Sequence, residues 1–522
     1  MFTRSDGIYT GVENNVGDLP FHLQAISSFA QGQNSSFEDP TFAGVRFTYP
    51  FLADYLSSLL VRLGLGLAAS MWLPNILFAL AFVVLLSKFT EDLASSRLAG
   101  IIAVLLVIFS GGMGWWQIFQ DVRNSDHGLL PLLAHLQHRY TIEPDSIYRW
   151  GNTLTTLFIP QRSILLGAAI AVFIFREWWL AIRRRAEIAQ AHAGRSCVWR
   201  FSVAGIAAGL LPLIHTHTFL VVTAVAVCEF ILFRELWREW LVFFAMTMTL
   251  AFPQVLWLFH GSANTRAFFA WRVGWDHGTH SLLSFWLANT GVFIPLLLVA
   301  LLDKKSGSEA DRQWVRFYLP FLLCFVVPNI ITLAPWAWDN IKILFYWYIA
   351  SVPLVAALLA DWLKRAQPKM RWMAAGLVVS LSLSGGLDII RVLSGAEEYR
   401  EFDTDAIAMA KTISNDMPAT AVVLHAPTYS SPVFLTGRRS VLGYPGWAWS
   451  RGLDYTQREK DIKEIYAGGP NARKLLLAYR VNYALIGPQE RASLTVNDAF
   501  WEHQSLVARS GNYSLYSLTR QR

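Results

Sequence analysis

The run FSVAGIAAGLLPLIHTHTFLVVTAVAVCEFIL, residues 201–232, decides the fold. Its length would suit one long apolar helix, but His215-Thr216-His217 interrupts it. Arg183, Arg184, Arg185, Arg195 and Arg200 precede it, and Arg234 and Arg238 follow. Basic loop residues collect on the cytoplasmic side of a membrane. Both ends therefore face the cytoplasm, and the run has to turn back on itself as a hairpin. Each arm is short for a full crossing, so a re-entrant pair is a second reading.

The rest of the chain has the same character. Of 522 residues, 54% are hydrophobic and only 16% charged, with 22 Trp and 34 Phe. Soluble domains carry about 25% charged residues, so the composition describes a polytopic membrane protein. The net charge of +7 belongs to loops between apolar runs and not to a nucleic-acid surface. Cys197, Cys228 and Cys324 show no CxxC or Cys/His metal spacing, which argues against structural zinc and redox chemistry.

Spanning candidates follow at 71–88, 97–112, 160–180, 201–214, 217–232, 240–259, 282–302, 315–333, 341–362 and 371–389, about ten in all. Residues 50–65 are apolar but carry Asp54 and Arg62, and read as a helix lying in the interface; a short span is the competing reading. Lys304, Lys305, Arg312 and Arg316 share a side with Lys364, Arg365, Lys369 and Arg371. Loops 113–159, 260–281 and 334–340 fall on the other side, with residues 1–70 and the tail. The expected organisation is an external segment over 1–70, a multi-span domain over 71–389, and an extracytoplasmic α/β domain over 390–522.

In that tail, Ala421-Val-Val-Leu-His-Ala426 and Asn482-Tyr-Ala-Leu-Ile-Gly487 read as buried strands. Residues 456–467 and 470–480 read as helices broken at Gly468-Gly469-Pro470, and 505–518 as a strand pair turning at Gly511-Asn512.

Chemistry is expected where ionisable groups gather at the outer surface, because such groups at membrane depth are costly. Gly17-Asp18-Leu19-Pro20-Phe21-His22 places Asp18 and His22 four apart, on one helix face. The bland alternative is a solvated loop in which Asp18 caps a short helix. Arg46, Arg162, His215, His217, Arg266, Arg272 and Asp276 join the set, as does Trp336-Ala-Trp-Asp339-Asn-Ile-Lys342. Each has an ordinary reading too. Arg162 would snorkel to headgroups, the histidines would cap the hairpin, and Asp339 and Lys342 would pair along a helix. Trp336 and Trp338 would form an interfacial belt.

The order of these parts resembles the GT-C superfamily of integral membrane glycosyltransferases, which use polyprenyl-phosphate sugars. The resemblance rests on the external Gly-Asp-x-x-x-His segment, the amphipathic helix after Thr48-Tyr49-Pro50, the many spans and the external α/β tail. The 335–342 segment and Gly443-Tyr-Pro-Gly-Trp-Ala-Trp449 resemble segments of bacterial membrane proteins of similar layout. The resemblance implies inverting sugar transfer at the outer face of the plasma (inner) membrane. Asp18 would be the base and His22 its catalytic companion. Arg46, Arg162, His215, His217, Arg272, Asp276, Trp336, Asp339 and Lys342 would bind substrate. The implied partners are a polyprenyl-phosphate-linked sugar, the lipid bilayer and an acceptor of unspecified chemistry, without nucleic acid. No cofactor is read from the residues. A divalent cation is the one candidate the resemblance leaves open, with Asp145 and Asp276 as loose second acids. The family layout also places a spanning helix before the Asp18 segment, so such a run is expected upstream of Met1. A transporter or flippase of lipid-linked or anionic solutes would use the same charged groups without bond chemistry, and a non-catalytic assembly protein is a third class.

Overall fold

The computed structural model describes residues 1–124, 128–136, 138–191, 197–259, 269–302, 309–365 and 367–518. Arg195, Arg266, Lys304 and Lys305 lie outside the described residues. The chain divides into two compact units. One comprises Met1–Pro74, Leu256–Arg266 and Glu398–Arg522, and the other Asn75–Val255 and Ala267–Glu397.

The second unit is helical. Among the described residues, five helices are long and apolar enough to cross a membrane: Leu67–Ala94, Arg162–Arg185, Arg234–Phe259, Ala337–Lys364 and Pro368–Leu393. Two bent pairs, Arg97–Ile108 with Met113–Asn124 and Leu282–Thr290 with Phe293–Leu302, raise that to seven if each is one span. About ten were expected, and the difference has local causes. Val198–Leu213 and Thr216–Leu232 are each shorter than a crossing, as the hairpin reading anticipated. The 315–333 candidate is not one helix. It runs as Glu309–Tyr318, Leu319–Leu322, Leu323–Val326 and Val327–Asn329, because Pro320 and Pro328 lack the N–H that a continuing helix needs.

Ala337–Lys364 is the buried axis of this unit, with 94% of its apolar window inside. Leu344, Tyr346, Ile349, Val352 and Leu359 are each fully buried or nearly so. Arg234–Phe259 has only 17% of its window inside, and exposes Leu241, Met248 and Phe252. Apolar side chains exposed along such a helix are suited to lipid.

The first unit combines the two ends of the chain. Helices α1 (Asp18–Ala30) and α2 (Leu52–Arg62) come from the N-terminal segment. At 11 residues α2 is too short to cross. Phe2–Arg4 pairs antiparallel with Gly7–Thr10, which pairs antiparallel with Tyr399–Asp403. The segment expected as a loop with one interfacial helix thus contributes a hairpin to a sheet with the tail.

A five-stranded sheet forms the rest, in the order Arg439–Ser440, Val422–Leu424, Tyr483–Ile486, Tyr513–Ser517, Ser505–Ser510. Val422–Leu424 runs parallel to both neighbours, and Tyr513–Ser517 antiparallel to both of its own. Thr456–Tyr466 and Ala472–Ala478 are the expected helices. Ile462, Tyr466, Ile486 and Trp501 make one core with Phe42 from the N-terminal segment.

Candidate active site

Asp18 opens α1 after Gly17, whose φ of +86° is a conformation that glycine adopts without strain. Pro20 sits in the first turn, where its missing N–H costs no helical hydrogen bond. Asp18 is half-buried at the helix N-terminus, where the unsatisfied N–H groups favour negative charge. Glu401, from the Tyr399–Asp403 strand, accepts a hydrogen bond from the Gly17 N–H and feels the charge of Asp18. Glu401 is 5% exposed, and its Oε1 has no hydrogen-bond partner among the described residues. Burial, with Asp18 adding, pushes its carboxyl up to about 7. Two acidic side chains thus lie within electrostatic reach of one another at the start of α1. Nothing local marks Glu401 in the sequence: it is one acid in an alternating strand.

His22 lies one turn on, and Asp54 of α2 is its partner. Nδ1 is 2.9 Å from Oδ2 and 3.1 Å from Oδ1, with both residues buried. Asp54, read from sequence only as a charge against spanning, is therefore a structural partner of the candidate site. Arg46 is exposed, with its guanidinium 4.2 Å from the centre of the Trp257 ring.

The other candidates lie in the second unit and form two groups. His215 is the N-cap of Thr216–Leu232 and accepts from the Thr218 N–H. Its Nδ1 is 2.7 Å from Thr218 Oγ1, which also bonds the Tyr346 hydroxyl. The His217 ring is 5.5 Å from that of His215, and its charged neighbours are Lys342 and Asp339. Lys342 Nζ pairs with Asp339 Oδ1 at 3.0 Å. The hairpin tip and the 335–342 segment, far apart in sequence, are therefore brought together. In the second group Asp276 accepts from Arg149 Nε at 2.7 Å and lies 3.8 Å from Arg272. The Trp338 indole N–H donates to the Arg149 carbonyl. Arg149 escaped the sequence reading because a single arginine in a polar loop has no distinguishing pattern.

Arg162 is 1% exposed, and its Nε donates to Asn75 Oδ1 at 3.2 Å; it is packed inside rather than reaching outward. Trp336 is exposed, and so is Asp145. Among the described residues no three or more His, Cys, Asp or Glu side chains gather as metal ligands would.

No family model matches the chain, and no curated relative matches it in sequence. In structure it is similar to ArnT from Cupriavidus metallidurans bound to undecaprenyl phosphate. The identity is 10% and the TM-score 0.48, over 97% of this chain and 96% of that one. It is also similar to the archaeal oligosaccharyltransferase AglB from Archaeoglobus fulgidus, in complex with an inhibitory peptide and a dolichol-phosphate. There the identity is 11% and the TM-score 0.46, over 93% of this chain and 67% of that one.

Proposed function

We propose that this chain is a membrane glycosyltransferase that moves a sugar from a polyprenyl-phosphate donor to an acceptor hydroxyl at the outer face of the membrane. The observation that carries the reading is the Asp18–Glu401 pair at the start of α1. Transfer to a hydroxyl needs a base where the acceptor oxygen attacks the anomeric carbon. Asp18, half-buried in the first turn of α1, is the side chain assigned to that role. The acceptor O–H proton passes to Asp18 as the new C–O bond forms. The bond from the anomeric carbon to the lipid phosphate breaks, and its electron pair leaves on the phosphate oxygen.

In the second unit, considered by itself, Lys342, oriented by Asp339, and Arg272, beside Asp276, have the charge to bind a lipid phosphate. His217 stands next to Lys342 as a further hydrogen-bond donor. His215, committed to the helix cap, is assigned a positioning role.

The test is transfer of radiolabelled sugar from synthetic polyprenyl-phosphate sugars to acceptors in membrane extracts, by the purified chain. Transfer that disappears in Asp18→Asn supports the reading. Movement of the lipid-linked sugar across a vesicle bilayer without any transfer would replace it with the transporter reading.

A further inference from the structure

Gly443-Tyr-Pro-Gly-Trp-Ala-Trp449 has so far been given no chemistry, yet its aromatic side chains lead back to Asp18. A Cβ placed on Gly17 would lie 3.8 Å from the Cβ and Cγ of Tyr429. The Tyr429 ring lies 5.4 Å from that of Tyr444, edge to face at 83°. Tyr444 lies 5.9 Å from Trp447, and Trp447 5.3 Å from Phe21. Phe21 belongs to the first turn of α1, three residues after Asp18. The contacts therefore run from Gly17 through three tail aromatics and return to Phe21, bracketing the turn that carries Asp18. Gly446 permits this packing, since a Cβ there would come within 2.4 Å of the Tyr444 ring.

Tyr429 and Tyr444 remain 38% and 39% exposed, whereas Trp447 is 8% exposed. Two tyrosines thus offer accessible ring area beside a carboxylate pair. Arg451, whose guanidinium lies 5.3 Å from the centre of the Phe21 ring, is engaged. Arg451 donates through Nε to the Trp447 carbonyl, through Nη1 to Asp39 and through Nη2 to Thr41. A surface of ring faces and carboxylates is poorly suited to phosphate. It suits a ligand with C–H faces to lay on rings and hydroxyls to donate to carboxylates.

We propose that Tyr429 and Tyr444 form the acceptor subsite, and that the acceptor is a saccharide whose attacking hydroxyl is presented to Asp18. This inference rests on the transferase reading for its choice of a hydroxyl-bearing ligand. Ring faces provide affinity with little loss of side-chain freedom, because tyrosine has only two rotatable side-chain torsions. Glu401 and Asp18 accept hydrogen bonds from the sugar and so set which hydroxyl faces the base.

The experiment uses the full chain, purified in detergent and applied to immobilised glycans and, in parallel, to immobilised peptides. Binding to one or more saccharides is expected, weakened about tenfold or more in Tyr429→Leu and Tyr444→Leu. Tyr444→Phe, which keeps the ring, should retain most of it. Affinity for undecaprenyl phosphate should be the same in all variants, and unchanged melting temperatures show that the leucine variants are folded. Absence of saccharide binding, undiminished binding in both leucine variants, or binding to peptides alone would overturn the inference. Tyrosine-dependent saccharide binding without any transfer would sink the transferase reading and leave this one standing. Transfer with an unchanged acceptor KM in the leucine variants would do the reverse.

Discussion

His22 Nδ1 lies 2.9 Å from Asp54 Oδ2, joining α1 to α2 by a hydrogen bond between side chains that are 4% and 0% exposed. Removing one partner of a buried hydrogen bond leaves the other unsatisfied, at a cost of about 1–3 kcal/mol. His22→Phe and Asp54→Leu should therefore each lower the melting temperature. The double variant His22→Phe/Asp54→Leu should recover much of the loss, because it removes both polar groups at once. Thermal unfolding of the four-member cycle in detergent checks this. Additive losses would show that the two residues do not act as a pair.

Asp18→Asn keeps the shape of the side chain and removes the base. Transfer should fall about 100-fold to 10,000-fold, in a chain that still folds and with unchanged donor affinity. A variant with near-normal kcat would take Asp18 out of the chemistry.

Glu401 makes stability depend on pH. Its carboxyl is raised from 4.5 to about 7 by burial and by Asp18. The folded state therefore binds more protons than the unfolded state between those values. The contribution is fully present below about 4.5, and it is lost as pH rises toward and through 7. Glu401→Gln should match the wild type near pH 4.5 and melt at a higher temperature at pH 8. Asp18→Asn should shift the wild-type profile toward lower pH, because it removes one cause of the rise. Parallel melting curves for wild type and Glu401→Gln across pH 4.5–8 would contradict the assignment.

Lys342→Gln removes a cation from beside His217 and Asp339. Under the proposed function it should weaken binding of undecaprenyl phosphate about tenfold or more, while saccharide binding stays the same. Photo-crosslinking with a tritiated lipid analogue measures the first, and an unchanged lipid affinity would reduce Lys342 to a structural partner of Asp339.

The proposed orientation puts the tail outside and the basic loops inside. In a background with Cys197, Cys228 and Cys324 replaced, an impermeant thiol reagent should label Ser510→Cys in intact cells. It should label Gln367→Cys only after permeabilisation. The opposite pattern would move Asp18 and the tail to the cytoplasmic side and end the reading of an external site.

By itself the sequence determined whatever a short stretch of chain decides alone. An apolar run such as 341–362 becomes a helix in water or lipid because its backbone groups bond within the segment. The tail elements at Val422–Leu424, Tyr483–Ile486 and Ser505–Ser517 were legible for a similar reason. Alternation and the Gly511-Asn512 turn are local features. The short hairpin arms around His215 could also be read from their flanking arginines. Tertiary structure decided the pairings. Asp54 meets His22 across 32 residues, and Glu401 comes to Asp18 from the far end of the chain. Likewise, Gly7–Thr10 finds its strand partner at Tyr399–Asp403. A single acid has the same local appearance in a solvated loop and beside a catalytic group. Which it becomes depends on the burial and the neighbours that distant segments supply, and these are properties of the packed chain rather than of any window along it.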